Sequence, residues 1–190
     1  MAIHITDDAA ADELLTDNPF ALLIGMMLDQ QYPMEHAFLG PQKVVGRFGS
    51  FDPAAIAAAD PEEFAALCAT TPAIHRFPGS MAARLQEIAR IVVEQYDGDT
   101  ARIWTQAKDG KDLAKRIQAL PGFGAQKAKI FVALLAKQLG VRPEGWEKVA
   151  GDYALDGFRS VADVVDPASL QKVRDHKKMV KASAKAASQA

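Results

Sequence analysis

Asn18-Pro19, Asp52-Pro53, Asp60-Pro61 and Asp166-Pro167 repeat one signal along the chain. In each pair a side chain that accepts hydrogen bonds from free backbone amides precedes a proline, whose missing N–H and fixed φ suit the first position of a helix. With alanine-rich segments behind several of them, these pairs predict many short helices. No convincing strand competes, because VVDP and IVVE are short and sit inside helical periods. The expected fold class is all-α with short connections.

FALLIGMMLDQQY, from Phe20 to the brake at Pro33, is apolar nearly all round and predicts a central buried helix. A helix over 34–48 closing at Gly49 follows, then AAIAAAD and EEFAALCAT as two more. MAARLQEIARIVVEQY places Met81, Leu85, Ile88, Ile91 and Val92 at amphipathic spacing, with Gly98 as the stop. Helices are expected around Ile103 and Trp104, over 111–119 and over 125–139. GVRPEGWEKVAG, residues 140–151, reads as a loop, and further helices begin near Asp152 and Pro167. The terminal KASAKAASQA has little to pack and is expected to fray. One domain over 1–170 is expected, with a basic helix or tail over 171–190.

At 190 residues, 49% hydrophobic and 24% charged, the chain has the composition of a folded globular protein. The longest apolar run is far short of a bilayer span and the first residues are acidic, so a cytoplasmic location is expected. Cys68 is the only cysteine, which excludes an internal disulfide and a four-thiolate cluster. His4, His36, His75 and His176 are scattered singly, so no metal site is expected. A net charge of −2 and an isoelectric point near 6.1 argue against a polyanion partner. That objection is local, because Lys172, Arg174, Lys177, Lys178, Lys181 and Lys185 face Asp175 alone after Leu170.

LPGFGAQKAKIF, residues 120–131, sets a Pro-Gly-aromatic-Gly turn between two helical runs. Glycines at 122 and 124 allow backbone conformations closed to other residues, so the helices can meet through a tight turn. Taken plainly, this is a glycine-capped helix-loop-helix. A second reading uses the backbone: without side chains there, the amides opening the next helix can approach a phosphate, with Lys127 and Lys129 within reach.

The string LPGFGAQKA resembles the hairpin of the helix-hairpin-helix base-excision DNA glycosylase superfamily, which includes endonuclease III and the adenine, 8-oxoguanine and alkylpurine glycosylases. Leu-Pro-Gly-apolar-Gly, two variable residues and alanine is the shared signature. Upstream, Asn18-Pro19-Phe20 with LLIGMMLDQQ resembles the family's early buried helix and its glutamine turn, and FPGSMAARLQEIARIV resembles the helix before the hairpin. The similarity spans about 19–158 and is near a small bacterial subgroup. It implies a two-lobed helical fold with the hairpin motif over 112–139, double-stranded DNA bearing a damaged base as partner, and a monomer associated with the bacterial nucleoid. It implies no iron-sulfur cluster; a monovalent cation at the hairpin backbone is the only cofactor it brings into question.

The resemblance also distributes roles. Gly122, Phe123, Gly124, Gln126, Lys127 and Lys129 would anchor the strand, and Gln31, with Gln30 beside it, would enter the duplex next to the damaged nucleotide. A carboxylate near the sugar stabilises an oxocarbenium-like state and activates water; the matching residue is Asp152, with Asp156 a poorer match. As a plain structural residue Asp152 would cap a helix. The longer loop before it loosens the register between hairpin and acid. Bifunctional members carry a nucleophilic lysine where this chain has Gln126, which implies a monofunctional, water-using enzyme. Lys127 is the alternative nucleophile, although one helical step turns it about 100° from Gln126 and favours a surface or phosphate role. A non-catalytic damage-binding protein is the third reading. Candidate base-pocket aromatics are Phe20, Tyr32, Trp104, Trp146 and Tyr153; on their helices Phe20 and Trp104 are more expected in the core, and Trp146 and Tyr153, on or beside the loop before Asp152, are the better placed, while the early helix leans towards the alkylpurine enzymes.

Overall fold

The computed structural model describes residues 2–189. It is helical throughout, with no strand among the described residues. The helices are α1 (Ala9–Asp17), α2 (Pro19–Leu28), α3 (Met34–Phe38), α4 (Gly40–Phe48), α5 (Pro53–Ala58), α6 (Pro61–Ala69), α7 (Pro78–Tyr96), α8 (Arg102–Thr105), α9 (Gly110–Gln118), α10 (Ala125–Gln138), α11 (Trp146–Ala150) and α12 (Pro167–Ser188), with 3-10 turns at Gly151–Ala154 and Val161–Asp163.

The Asx-Pro pairs act as their chemistry requires. The Asn18 side chain accepts from the Phe20 and Ala21 amides, and Asp52, Asp60 and Asp166 cap α5, α6 and α12 in the same way. Asn18 also donates to the Phe51 carbonyl at 3.0 Å, tying the start of α2 to the segment before α5.

Two lobes result. Helices α1 to α6 pack around α2 and α7, while α9, α11 and the 3-10 turns pack around α10. One continuous apolar core runs through both, from Ile3 to Val173. Every residue of α2 from Phe20 to Leu28 is buried. Gly25 permits the contact with α3, since a Cβ there would stand 2.5 Å from the Phe38 ring. The buried Gln86 of α7 donates to the Ile56 and Ala59 carbonyls and so secures the end of α5.

Several boundaries differ from the sequence expectation. Helix α2 stops at Leu28 rather than at Pro33, because the Gln30 amide turns back to the Leu28 carbonyl and Gln31 adopts φ +52°. The 34–48 segment is two helices, broken at Leu39. The 140–151 segment is not all loop: Trp146, only 8% exposed, is drawn into the core and nucleates α11. Its backbone passes so near Gly110 that a Cβ there would meet it at 2.8 Å. The terminal segment continues α12 to Ser188 although nothing covers it, consistent with the high helix propensity of alanine and lysine.

Candidate active site

The hairpin joins α9 to α10 through Ala119–Gly124. Gly122 has φ +84°, and a Cβ on it would lie 2.7 Å from Arg84 Cδ. Gly124 is different: its φ of −78° suits any residue and nothing lies within 4 Å of a Cβ built there. Only Gly122 therefore needs glycine's conformational range. Gly124 begins α10 without any side-chain cap, and Gly124, Ala125 and Gln126 are exposed. The first-turn amides of a fourteen-residue helix thus face solvent with the positive end of its dipole. Phe123 turns its ring into the core beside Phe131, at 6.0 Å between centroids, so only its backbone can meet a strand. Lys129 is exposed.

Gln126 projects from this open turn and its Nε2 donates to the Tyr153 hydroxyl at 3.0 Å. That bond spans the long loop and brings the segment carrying Asp152 alongside the hairpin. The segment is held on both sides. Trp146 anchors it upstream, and downstream the Lys137 ammonium donates to the Leu155 carbonyl at 2.7 Å and pairs with Asp163 at 2.6 Å. Asp152 is exposed in the 3-10 turn and caps nothing, since no side-chain cap closes that turn. The plain structural role for Asp152 is absent. Asp156, further along, is also exposed and lends only its carbonyl, to Arg159.

Lys127 does not lie on the surface. Its ammonium reaches across to the other lobe and donates to the Met27 carbonyl at 2.9 Å, at the C-terminal end of α2. Burial pushes its pKa down to about 8, against the opposing pull of Asp29. Burial likewise raises Asp29, which lies 4.0 Å from the Lys177 ammonium. Beside them, His75 Nε2 donates to the Gln30 carbonyl at 3.0 Å while its Nδ1 accepts from the Phe77 amide at 3.1 Å. An imidazole that accepts at one nitrogen is neutral, and burial holds the His75 pKa low. Arg84 donates to Gln30 Oε1 at 3.1 Å. The turn carrying Gln30 and Gln31 is therefore braced from below while both glutamine side chains are exposed.

The aromatic candidates separate. Phe20 is 1% exposed against Phe51, at the edge of a cleft of about 340 Å³ that Asn18 and Asp52 also line, and Trp146 and Trp104 are core residues. Of the base-pocket candidates, Phe20, Trp104 and Trp146 are therefore the buried ones. Tyr32 and Tyr153 are half-exposed. Tyr32 lies 4.8 Å from the His75 ring and edges a cleft of about 460 Å³, which Met34, Glu35, Arg174 and Lys178 also line. Phe77, absent from the sequence candidates, is 50% exposed, with Arg76 over its ring and His75 beside it. An aromatic directly before Pro78-Gly79 at a helix start was the available signal.

No group of three or more His, Cys, Asp or Glu side chains is placed to hold a metal ion among the described residues. At the hairpin, the Leu120 carbonyl already accepts from the Phe123 amide.

Two helices joined by a glycine turn, with open amides on the second and a braced glutamine turn across from it, have the layout the resemblance implied. The family model described as HhH-GPD superfamily base excision DNA repair protein matches residues 24–185. The chain belongs to this family. As a member of the HhH-GPD superfamily it is a base excision repair protein of glycosylase type that acts on DNA. The matched range takes in α2, the hairpin, the Asp152 turn and most of α12. No curated protein matches the chain, and no solved structure does. No described helix is long and apolar enough to cross a membrane.

Proposed function

We propose that this HhH-GPD protein is a monofunctional glycosylase that hydrolyses the N-glycosidic bond of a damaged nucleotide in duplex DNA, working as a monomer. The observation that carries this is the Gln126–Tyr153 hydrogen bond, which sets the Asp152 turn beside the hairpin. Open amides of α10 take a backbone phosphate and hold the strand. Gln31, on its left-handed turn, fills the space of the extruded nucleotide, and exposed Phe77 wedges the neighbouring step. Asp152 stabilises positive charge developing at C1′. Water adds its oxygen to C1′ as the bond to the base breaks, the bonding pair leaves with the base, and the water proton passes to Asp152. Gln126 supplies no nucleophile, so the product is an abasic site.

One observation favours a second route. The Lys127 amine, with a pKa of about 8, is part-buried where the lobes meet, on the Met27 carbonyl. In that route the neutral amine adds its nitrogen to C1′ as the glycosidic bond breaks and the base leaves with the bonding pair; loss of the amine proton and opening of the C1′–O4′ bond give an imine, from which elimination of the 3′ phosphate cleaves the strand.

A panel of lesion-bearing duplexes separates these readings. Asp152→Asn is expected to lower excision by about 10²-fold or more while duplex binding persists; full turnover by this variant would remove Asp152 from the chemistry. Borohydride should trap no covalent adduct with the native protein. An adduct that disappears in Lys127→Gln would establish the amine route, and abasic-site binding without base release on any duplex would leave only damage recognition.

A further inference from the structure

Helix α12 is anchored by its first turns and then leaves the protein. Leu170 and Val173 are buried, Arg174 pairs with Glu35, and Lys177 lies 4.0 Å from Asp29, both acids flanking the glutamine turn. From Lys177 to Gln189 every residue is exposed. The last ten residues of the helix alone project about 15 Å. At 100° per residue, Arg174, Lys177, Lys178, Lys181 and Lys185 fall within about 100° of the circumference. Lys172 is on the other side, over the Phe158 ring. The cationic stripe thus begins beside Gln30 and Gln31 and runs outwards on the same face.

A solvated helix needs charge, but not on one face. Favourable interaction with the helix dipole accounts for cations only in the last turn, where Lys185 stands; Lys178 and Lys181 lie before it. Neither has an acidic partner within salt-bridge distance among the described residues. In a chain of net charge −2, this stripe concentrates the positive charge at the edge of the proposed lesion opening.

We propose that the projecting half of α12 is a DNA-backbone arm, whose Lys178, Lys181 and Lys185 contact phosphates of the duplex flanking the damaged nucleotide. The arm rests on the glycosylase reading for the orientation of the duplex. It neutralises charge and reads no bases, so it strengthens binding to damaged and undamaged DNA alike. It also accounts for an acidic protein that binds a polyanion: the attraction is local.

The test is the variant Lys178→Gln/Lys181→Gln/Lys185→Gln in the full chain, with Lys172→Gln as the control from the opposite face. Affinity is measured from 50 to 200 mM salt for an undamaged duplex and for one carrying an abasic analogue. The slope of log K against log salt should shrink by about 0.9 for each phosphate no longer neutralised, hence by about 2 to 3 for the triple variant. Affinity should fall equally on both duplexes, and Lys172→Gln should behave as native. An unchanged slope, a loss confined to the damaged duplex or an equal loss in Lys172→Gln would each overturn the arm and leave the glycosylase reading standing. A native protein that binds neither duplex would overturn both.

Discussion

Gln126 and Lys127 adjoin in sequence and meet different surroundings. Gln126 stays in solvent and bonds a tyrosine on the loop, whereas Lys127 crosses to the end of α2. The helical step predicts that the two diverge, but not that the lysine finds a carbonyl of the other lobe. Its pKa near 8 has a sign that can be checked. The unfolded chain, with a lysine near 10.5, binds more protons between the two values, so folding stability rises with pH through about 8 and levels off above 10.5. From pH 7.5 to 9.5 the gain should be about 1–2 kcal/mol in urea denaturation, and Lys127→Met should remove that increment. An equal pH response in the variant would mean that the lysine is not desolvated. Asp152 shows the complementary limit. Its place in the chain was legible from VAGDYALDGF, yet whether it capped a helix depended on a turn type that local sequence does not specify.

The hairpin is the element in which sequence and geometry can be separated most cleanly. Its two glycines look equivalent in LPGFG, but Gly122 holds φ +84° beside Arg84 while Gly124 sits in an ordinary conformation in open space. Gly122→Ala should cost about 1–2 kcal/mol through left-handed strain. Gly124→Ala should cost less than about 1 kcal/mol as a poorer cap, but weaken duplex binding by setting a methyl group over the open amides. Urea melts and binding titrations of the two variants would reveal the contrast, and equal stability losses would contradict it. The Asx-Pro starts were legible because capping is local chemistry. Helix α11 was not, because Trp146 forms it by entering a core assembled from α9 and α10.

Across the whole molecule, two lobes share one core, with Lys127 on the Met27 carbonyl and Arg174 on Glu35 crossing between them. A shared core predicts a single cooperative unfolding transition. Trp146 on α11 and Trp104 on α8, whose ring packs on Phe131 of α10, both lie in the hairpin lobe, so their fluorescence reports that half while far-UV circular dichroism reports every helix. The two curves should coincide in urea, and separate midpoints would show lobes that unfold independently. What the sequence determined by itself was set by short-range rules: helix starts, the buried α2, the hairpin and the absence of a lysine at position 126. Only the tertiary structure decided that Trp146 is core, that Phe77 is exposed, that Lys127 is buried beside Asp29, and that Tyr153 brings Asp152 to Gln126. Burial and cross-lobe contact depend on how separate helices meet, and no local stretch of residues contains that information.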